Sequence, residues 1–173
     1  MKKILITGAA GFIGFHVCLK LLKLGKNVIG LDNLNNYYDP NLKLSRLKIL
    51  QKSKNFIFKK VNLQNEKKLK QIFQTNKIEK VVNLAAQAGV RYSLINPKSY
   101  IDTNIFGFFN LIDLSRKYKI KHFVYASTSS VYGLSTKMPF KESYTTDHPI
   151  QLYAATKKSN ELIAHSYSHI YKL

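Results

Sequence analysis

A tyrosine and a lysine stand four residues apart near the C-terminal end of the sequence. Tyr153 and Lys157 lie in a stretch with helical periodicity, where this separation places two side chains on one face, about one turn apart. A phenol ordinarily keeps its proton up to about pH 10, but a neighbouring ammonium favours the phenolate. The pair therefore has the chemistry of a general base and its activating cation.

Hydroxyl side chains upstream strengthen this interpretation, because a tyrosine four residues before a lysine is common by chance. Residues 127–130 read Ser-Thr-Ser-Ser and follow an apolar run that is typical of a strand. Hydroxyls at the end of a strand can hold a substrate oxygen close to a base. Thr128 and Ser129 are thus candidate substrate contacts.

Three glycines follow the first apolar run and open a helical pattern, in the segment TGAAGFIG. Gly8 would allow a tight turn, Gly11 would let the backbone approach a pyrophosphate, and Gly14 would permit close packing of the helix. The N-terminus of that helix would face the phosphate charge. The segment predicts a dinucleotide site formed by Gly8, Gly11, Phe12, Ile13 and Gly14.

Asp32 ends the second apolar run, eighteen residues beyond Gly14. A carboxylate at this place accepts hydrogen bonds from the hydroxyls of the adenosine ribose, and Asn33 follows it into the same site. It would also repel a 2′-phosphate, and residues 33–35 offer no arginine to bind one. The sequence therefore predicts NAD rather than NADP as cofactor.

The elements that would position these residues alternate between strands and helices. Such alternation indicates repeated βαβ units, hence an α/β fold with a Rossmann-like, doubly wound parallel sheet and helices on both faces. We expect the strand order 3-2-1-4-5, with the crevice at the carboxyl ends of strands 1 and 4. The predicted strands are Lys3–Thr7, Asn27–Leu31, Phe56–Val61, Lys80–Leu84 and His122–Ala126.

Three helices are predicted with particular clarity. The first runs from Phe12 to Leu24 and ends before Gly25, the second runs from Pro97 through Tyr118, and the last begins at Leu152. The second helix should bury part of three apolar side chains, namely Ile105, Phe109 and Leu111. Residues 133–151 have no clear period, and a loop of that length in a compact domain is usually functional.

The composition limits the classes of protein and partner. The chain of 173 residues is long enough for one substantial core, so we expect one domain over residues 1–173. No run approaches the roughly 18 apolar residues that a membrane span needs. The formal charge of +19 would suit nucleic acid, but most lysines fall on helical stretches such as 42–54 and 66–77, as on solvated faces. We therefore expect neither a membrane nor a nucleic acid as partner.

Cys18 is the one cysteine of the chain, so an intramolecular disulfide or a multi-cysteine zinc site is excluded. Its place in an apolar helical pattern predicts a packed thiol. The five histidines show no metal-ligand spacing, and we expect no metal. This cysteine usage agrees with a reducing cytoplasm.

Together these segments resemble a known family. The chain is identified as a member of the extended short-chain dehydrogenase/reductases, within the NAD-dependent epimerase/dehydratase family, and is similar there to UDP-glucuronate 4-epimerases. The later segments are far more specific than the glycine motif. The segments are TGAAGFIG, LDNLNNYYDPNLKLSRL, NLAAQAGVRYSLINP, VYASTSSVYG, TKMPF and DHPIQLYAATKKSNELIAHSYSHIY.

The resemblance implies a role for each matching residue. Tyr153 would be the base, Lys157 its partner and ribose anchor, and Thr128 the hydroxyl bonded to the sugar oxygen. Arg91 and Ser129 would lie near the substrate, although a loop-fixing role for Arg91 is equally open. The other cofactor residues implied are Asn62 and Leu63 at the adenine, Leu84, Ala85 and Ala86 beside the nicotinamide, and Asn104 as a support from the neighbouring helix.

The implied reaction is reversible oxidation at carbon 4 of a nucleotide sugar, which would interconvert UDP-glucuronate and UDP-galacturonate. A UDP-glucose-type 4-epimerase or a related reductase stays open. A 4,6-dehydratase is less favoured, because Ser129 and Ser130 stand where that reaction needs an acid and a carboxylate. From a different class, the chain could be a noncatalytic dinucleotide-binding module.

Two features depart from the family's pattern. Asn62 stands where the family usually has an aspartate, and an amide can still form the hydrogen bond. Family members are roughly twice as long and continue into a substrate-binding domain. We therefore expect the chain to be the N-terminal part of an enzyme with the substrate domain truncated, inactive by itself, and a homodimer at full length.

Overall fold

The computed structural model describes residues 2–173 and is built around a five-stranded parallel sheet. The order β3-β2-β1-β4-β5 confirms the predicted doubly wound arrangement, and the predicted strand ends lie within two residues of the observed ones. The strands are β1 (Lys3–Thr7), β2 (Val28–Asp32), β3 (Phe56–Lys60), β4 (Ile78–Asn83) and β5 (His122–Tyr125).

Burial along the strands follows from their place in the sheet. Every residue of the inner strand β2 is buried, as expected for a parallel strand covered on both faces. The two edge strands are less covered, and β5 has no residue in the buried class. The apolar runs of the sequence therefore mark the centre of the sheet more clearly than its edges.

Helices cover both faces of the sheet. Buried side chains of α1 and α2 form one core cluster, and those of α3 and α6 form the other. Gly25, at φ +70°, follows the end of α1 as predicted. The helices are α1 (Phe12–Lys23), α2 (Pro40–Leu50), α3 (Glu66–Thr75), α4 (Tyr92–Ile95), α5 (Pro97–Tyr100), a π-helix (Ile101–Gly107), α6 (Phe108–Lys117), a 3₁₀-helix (Ser129–Tyr132) and α7 (Leu152–Tyr171).

The segment predicted as one helix from Pro97 to Tyr118 contains a π-helical insertion between α5 and α6. A π-turn holds more residues than an α-turn, so the side chains after it are rotated from the positions that a uniform helical period predicts. Phe108 is buried, whereas Phe109, predicted to be partly buried, is 45% exposed. Leu111, which was also predicted to be partly buried, is fully buried.

The charged and sulfur-containing side chains mostly lie where the sequence predicted. Cys18 is buried in the core, and burial raises the pKa of its thiol to about 12, as for a packed, unreactive group. Lys43 is an exception to the prediction of solvated lysines, because it is only 4% exposed. Among residues 2–173, no helix has the length and apolar character to cross a membrane.

The glycine loop between β1 and α1 leaves no room for a side chain at Gly14. A Cβ there would lie 2.0 Å from the carbonyl oxygen of Gly8, which is a backbone atom and cannot move aside cheaply. The approach of helix to strand predicted for Gly14 is therefore present. Gly8 adopts φ +68°, as the predicted tight turn requires.

We predict that Gly14→Ala destabilises the fold by about 3 kcal/mol or more, because overpacking against backbone is at the costly end of such changes. Urea unfolding followed by circular dichroism measures this. Gly25→Ala is the matched control, because nothing lies within 4 Å of its added Cβ. Only the strain of the left-handed backbone, about 1–2 kcal/mol, should lower its stability. Equal losses at both positions would contradict the steric argument.

Candidate functional site

The crevice expected at the ends of β1 and β4 is present as a cleft of about 300 Å³. It brings together the glycine loop, the end of β2, the residues after β3 and those after β4. Twelve of the predicted cofactor residues line it, namely Gly8, Gly11, Phe12, Ile13, Gly14, Asp32, Asn33, Asn62, Leu63, Leu84, Ala85 and Ala86.

The cleft opens where the chain leaves β1 and β4 in opposite directions. The buried hydroxyl of Thr7 accepts hydrogen bonds from the backbone N–H groups of Leu84 (3.1 Å) and Ala85 (3.0 Å). It donates its own proton to the Oδ1 of Asn83 at 2.5 Å. One side chain thus supplies partners for the main chain at the point where the sheet's ladder stops.

Asp32 connects two walls of the cleft. One carboxylate oxygen accepts a hydrogen bond from the N–H of Ala10 in the glycine loop (3.1 Å), and the other accepts one from the N–H of Leu34 (2.8 Å). The side chain is 8% exposed. The carboxylate therefore sets the shape of the adenosine end as well as offering acceptors to ribose hydroxyls.

The cleft fits a dinucleotide by its chemistry. The first turn of α1 has no capping side chain at Gly11, so its backbone N–H groups are available to a phosphate. Asp32 supplies acceptors at one end, and Leu63, Leu84 and Ala85 supply apolar walls. Residues 2–173 hold no group of three His, Cys, Asp or Glu side chains arranged for a metal ion.

Two basic side chains of α2 bond to segments that adjoin Asp32. The residues that directly follow Asp32 did not reveal them. The Lys43 ammonium bonds to the main-chain oxygen (2.9 Å) and the Oδ1 (2.6 Å) of Asn35. The Arg46 guanidinium donates to the carbonyl of Ala10 at 3.2 Å. The prediction from sequence covered only residues 33–35, whereas α2 returns to the cleft and brings Lys43 into its lining. Both cations are nevertheless bonded to oxygens of the protein.

Tyr153 and Lys157 lie on α7, one turn apart as predicted. The ring of Tyr153 meets the edge of the fully buried Tyr100 ring at 6.0 Å between centroids. Lys157 is 3% exposed, and burial lowers the pKa of its ammonium to about 8. The charge of the Glu161 carboxylate acts in the opposite direction and raises this pKa, but its effect is smaller. A buried cation therefore stands one turn from a partly exposed phenol.

Asn104 joins the cleft to α7 from within the π-helix. Its Oδ1 accepts a hydrogen bond from the N–H of Gln87 (2.8 Å), and its Nδ2 donates to the Gln87 carbonyl (3.0 Å) and to the hydroxyl of Thr156 (3.0 Å). Asn160 donates to the Asn104 carbonyl at 2.7 Å. Asn104 is 2% exposed and is not part of the cleft lining, so its geometry supports a positioning role instead of cofactor contact.

The predicted substrate residues lie outside the lining of the cleft. Thr128 caps the 3₁₀-helix, because its hydroxyl accepts a hydrogen bond from the N–H of Ser130 at 3.2 Å, and Ser129 is exposed. This short helix packs against α7, which also carries Tyr153. Arg91 is exposed at the start of α4, without a side-chain capping bond.

Sequence reasoning missed several residues of the lining. Tyr37 and Tyr38 come from the segment after β2, and Gln87 and Ala88 come from the segment after β4. Each lies within four residues of a predicted site residue or inside a segment that carried the family resemblance. What the sequence could not show is that Lys43, on a helix that reads as solvated, is buried at the same site.

Residues 5–173 match the family model described as GDP-mannose 4,6 dehydratase. The chain belongs to this family. It is 57% identical to Protein CapI of Staphylococcus aureus over 99% of its own length and 51% of that protein. It is 50% identical to UDP-glucuronate 4-epimerase 4 of Arabidopsis thaliana, over 98% of its own length and 39% of the relative. The chain thus spans about half the length, or less, of these curated relatives.

Solved structures of epimerases share the fold. The UDP-glucuronic acid 4-epimerase of Bacillus cereus, in complex with UDP-glucuronic acid and NAD, matches with a TM-score of 0.90 at 34% identity, over 99% of this chain and 54% of that one. A UDP-glucose 4-epimerase of Thermotoga maritima with UDP-glucose matches with a TM-score of 0.87 at 35% identity, over 99% and 52%. The expected Rossmann-like fold and family are therefore confirmed.

We predict that the chain binds NAD at least tenfold more tightly than NADP, because a 2′-phosphate would meet the Asp32 carboxylate while Lys43 and Arg46 are bonded elsewhere. Calorimetric titration with each cofactor measures the ratio. In Asp32→Asn the ratio should shrink. Equal affinities of the unaltered chain for NAD and NADP would mean that Lys43 and Arg46 turn toward the 2′-phosphate. Asp32 would then not determine the choice of cofactor.

The pKa of Lys157 predicts a change of stability with pH. Because the folded pKa (about 8) lies below the ordinary value of 10.5, the unfolded chain binds the proton more tightly. The cost of the buried charge, about 3 kcal/mol at most, is fully present below pH 8 and disappears as the pH rises toward 10.5.

Urea unfolding of the chain and of Lys157→Met at pH 7 and pH 9.5 checks this. The variant should be the more stable protein at pH 7, and its advantage should shrink at pH 9.5. An advantage that is absent at pH 7, or that grows with pH, would show that Lys157 is not a destabilising buried charge.

Proposed function

We propose that this chain binds NAD and carries the catalytic pair of a nucleotide-sugar 4-epimerase, which interconverts UDP-glucuronate and UDP-galacturonate. The single observation that supports this most is the linkage of two sites by Asn104. The amide bonds the wall of a dinucleotide-shaped cleft and also the helix of Tyr153 and Lys157. A base and a cofactor must be held in fixed relation for oxidation at one carbon.

Each residue of the pair has a defined task in the proposed reaction. Tyr153 removes the proton of the hydroxyl at carbon 4 and returns it when the sugar is reduced again. The Lys157 ammonium stabilises the phenolate and bonds to the ribose of the cofactor. Thr128 holds the sugar oxygen near Tyr153. NAD, when bound, supplies the acceptor and later the donor of hydride.

Similarity to named proteins supports the choice of UDP-glucuronate. Curated relatives at about 50% identity include UDP-glucuronate 4-epimerases. Among the solved structures, the Bacillus cereus UDP-glucuronic acid 4-epimerase (34% identity) and the Thermotoga UDP-glucose 4-epimerase (35%) are equally similar. A UDP-glucose-type epimerase is the second candidate, because that structure shares the fold equally well. Dehydration at carbons 4 and 6, which the family's name suggests, needs an acid and a carboxylate where this chain has Ser129 and Ser130.

The setting of the enzyme belongs to the same proposal. We place it in the cytoplasm, where it would supply a nucleotide sugar for polysaccharide biosynthesis. We propose a homodimer for the full enzyme, supported by Phe106 and Phe109, which are 57% and 45% exposed on the π-helix and α6. Nucleic acid is not a proposed partner, since no aromatic-interleaved basic motif or recognised binding module accompanies the charge.

The experiment must allow for relatives that are about twice as long as the matched region. We would assay this chain alone and a chimera in which it replaces the matched region of the Staphylococcus Protein CapI. Each is incubated with NAD and UDP-glucuronate, or with UDP-glucose, and the products are resolved by NMR. The chain alone is expected to be inactive, and formation of UDP-galacturonate by the chimera supports the proposal. Faster conversion of UDP-glucose favours the second candidate, and no conversion of either sugar overturns both.

We predict that Tyr153→Phe in the active form lowers kcat by at least about a thousandfold, within the usual contribution of a positioned acid or base. NAD affinity should stay within about twofold, because only the hydroxyl is lost. Lys157→Met should lower both kcat and NAD affinity. A Tyr153→Phe enzyme that keeps more than a few per cent of its kcat would exclude Tyr153 as the base.

A further inference from the structure

Glu161 lies on α7 outside the lining of the cleft and contacts the end of β5. It stands one turn beyond Lys157 and two turns beyond Tyr153, so the three side chains follow one face of the helix. One of its carboxylate oxygens accepts a hydrogen bond from the hydroxyl of Ser127. The carboxylate therefore touches the segment that carries Thr128, on the same helix as the base.

Ser127 is the first side chain that attaches the chain to α7 after β5. The N–H of Ala126 still donates to the carbonyl of Asn83 in β4, at 3.2 Å. Beyond that bond, the sheet no longer determines the path of the chain. Ser127 is exposed, and its bond to Glu161 holds it one residue before Thr128, which caps the 3₁₀-helix.

The carboxylate of Glu161 is held from a second side. Its other oxygen lies 3.5 Å from the ammonium of Lys158. That ammonium donates to the hydroxyl of Thr146 at 2.5 Å and lies 3.8 Å from the carboxylate of Asp147. The Lys158 and Glu161 side chains are 19% and 29% exposed, so water screens the pair only in part. Glu161 thus joins β5, α7 and the segment that leads into α7 at one place.

We propose that Glu161 is a positioning residue, whose bond to Ser127 fixes the start of the 3₁₀-helix against α7 so that Thr128 and Tyr153 face the same sugar oxygen. This rests on the proposed function, in which Thr128 holds that oxygen and Tyr153 is the base. The two hydroxyls lie on different elements, and the bond restricts the movement of one element against the other. A displacement of about 1 Å in a reacting group can cost about a hundredfold in rate, so a bond remote from the sugar affects kcat.

The test separates the bond of Glu161 from its charge, in the chimera that carries this chain in place of the matched region of Protein CapI. Glu161→Leu removes both the bond and the charge. Glu161→Gln removes the charge alone, because an amide can bond a serine hydroxyl through its oxygen or its nitrogen. Ser127→Ala removes the bond and keeps the charge. Glu66→Leu, at an exposed position at the start of α3, is the matched control.

We expect Glu161→Leu and Ser127→Ala each to lower kcat about tenfold, as for the loss of one hydrogen bond to a charged group. The double variant should lose no more than Glu161→Leu, because both substitutions remove the same interaction. Glu161→Gln should keep about half of kcat or more, and Glu66→Leu should match the unaltered chimera. Calorimetry on the chain should find NAD affinity within about twofold in every variant, since neither Ser127 nor Glu161 lines the cleft.

Unchanged kcat in Glu161→Leu, or losses that add in the double variant, would overturn the proposal. A loss of NAD affinity as large as the loss of kcat would indicate a general structural defect and would also overturn it. Equal losses in Glu161→Gln and Glu161→Leu, with none in Ser127→Ala, would show that the carboxylate acts only through its charge on Lys157. That result excludes positioning through the bond. An unaltered chimera that converts neither sugar overturns the proposed function, and this inference with it, before any substitution is made.

Discussion

The shape of the cleft depends on the hydrogen bonds that the hydroxyl of Thr7 accepts where the chain leaves β4. Strands β1 and β4 are neighbours, yet the chain leaves them toward opposite faces of the sheet, so the N–H groups that directly follow β4 lack the partners of a regular ladder. Thr7 accepts from two of them, at Leu84 and Ala85. The same close approach leaves no room for a Cβ at Gly8, 2.9 Å from the Ala85 nitrogen. Ligand space in such sheets exists because this divergence is held open.

The second constraint lies in the π-helix that carries Asn104. An α-helix saturates its own backbone, whereas a π-turn changes the register of the side chains and is frequent at functional sites. Here it places a buried amide where it bonds Gln87 on one side and Thr156 on the other. The carbonyl of Asn104 also accepts from Asn160 of α7. The cleft and the catalytic helix are therefore joined by side-chain bonds, and not only by packing.

The sequence predicted the fold well where local pattern determines structure. Period and glycine chemistry gave the strand order, the helix ending before Gly25 and the placement of Asp32, since each depends on neighbours along the chain. It failed where tertiary contacts override the pattern. The return of α2 buried Lys43 against Asn35, on a helix that reads as solvated.

One group at this site opposes the stability of the fold. Lys157 is a buried ammonium whose pKa is lowered by burial. It lies on α7, the helix whose Thr156 accepts a hydrogen bond from Asn104. Local rules of folding are broken most often where a protein acts on a ligand. A cation kept at this cost, on a helix that a buried amide joins to the cleft, is therefore the pattern expected of a functional group.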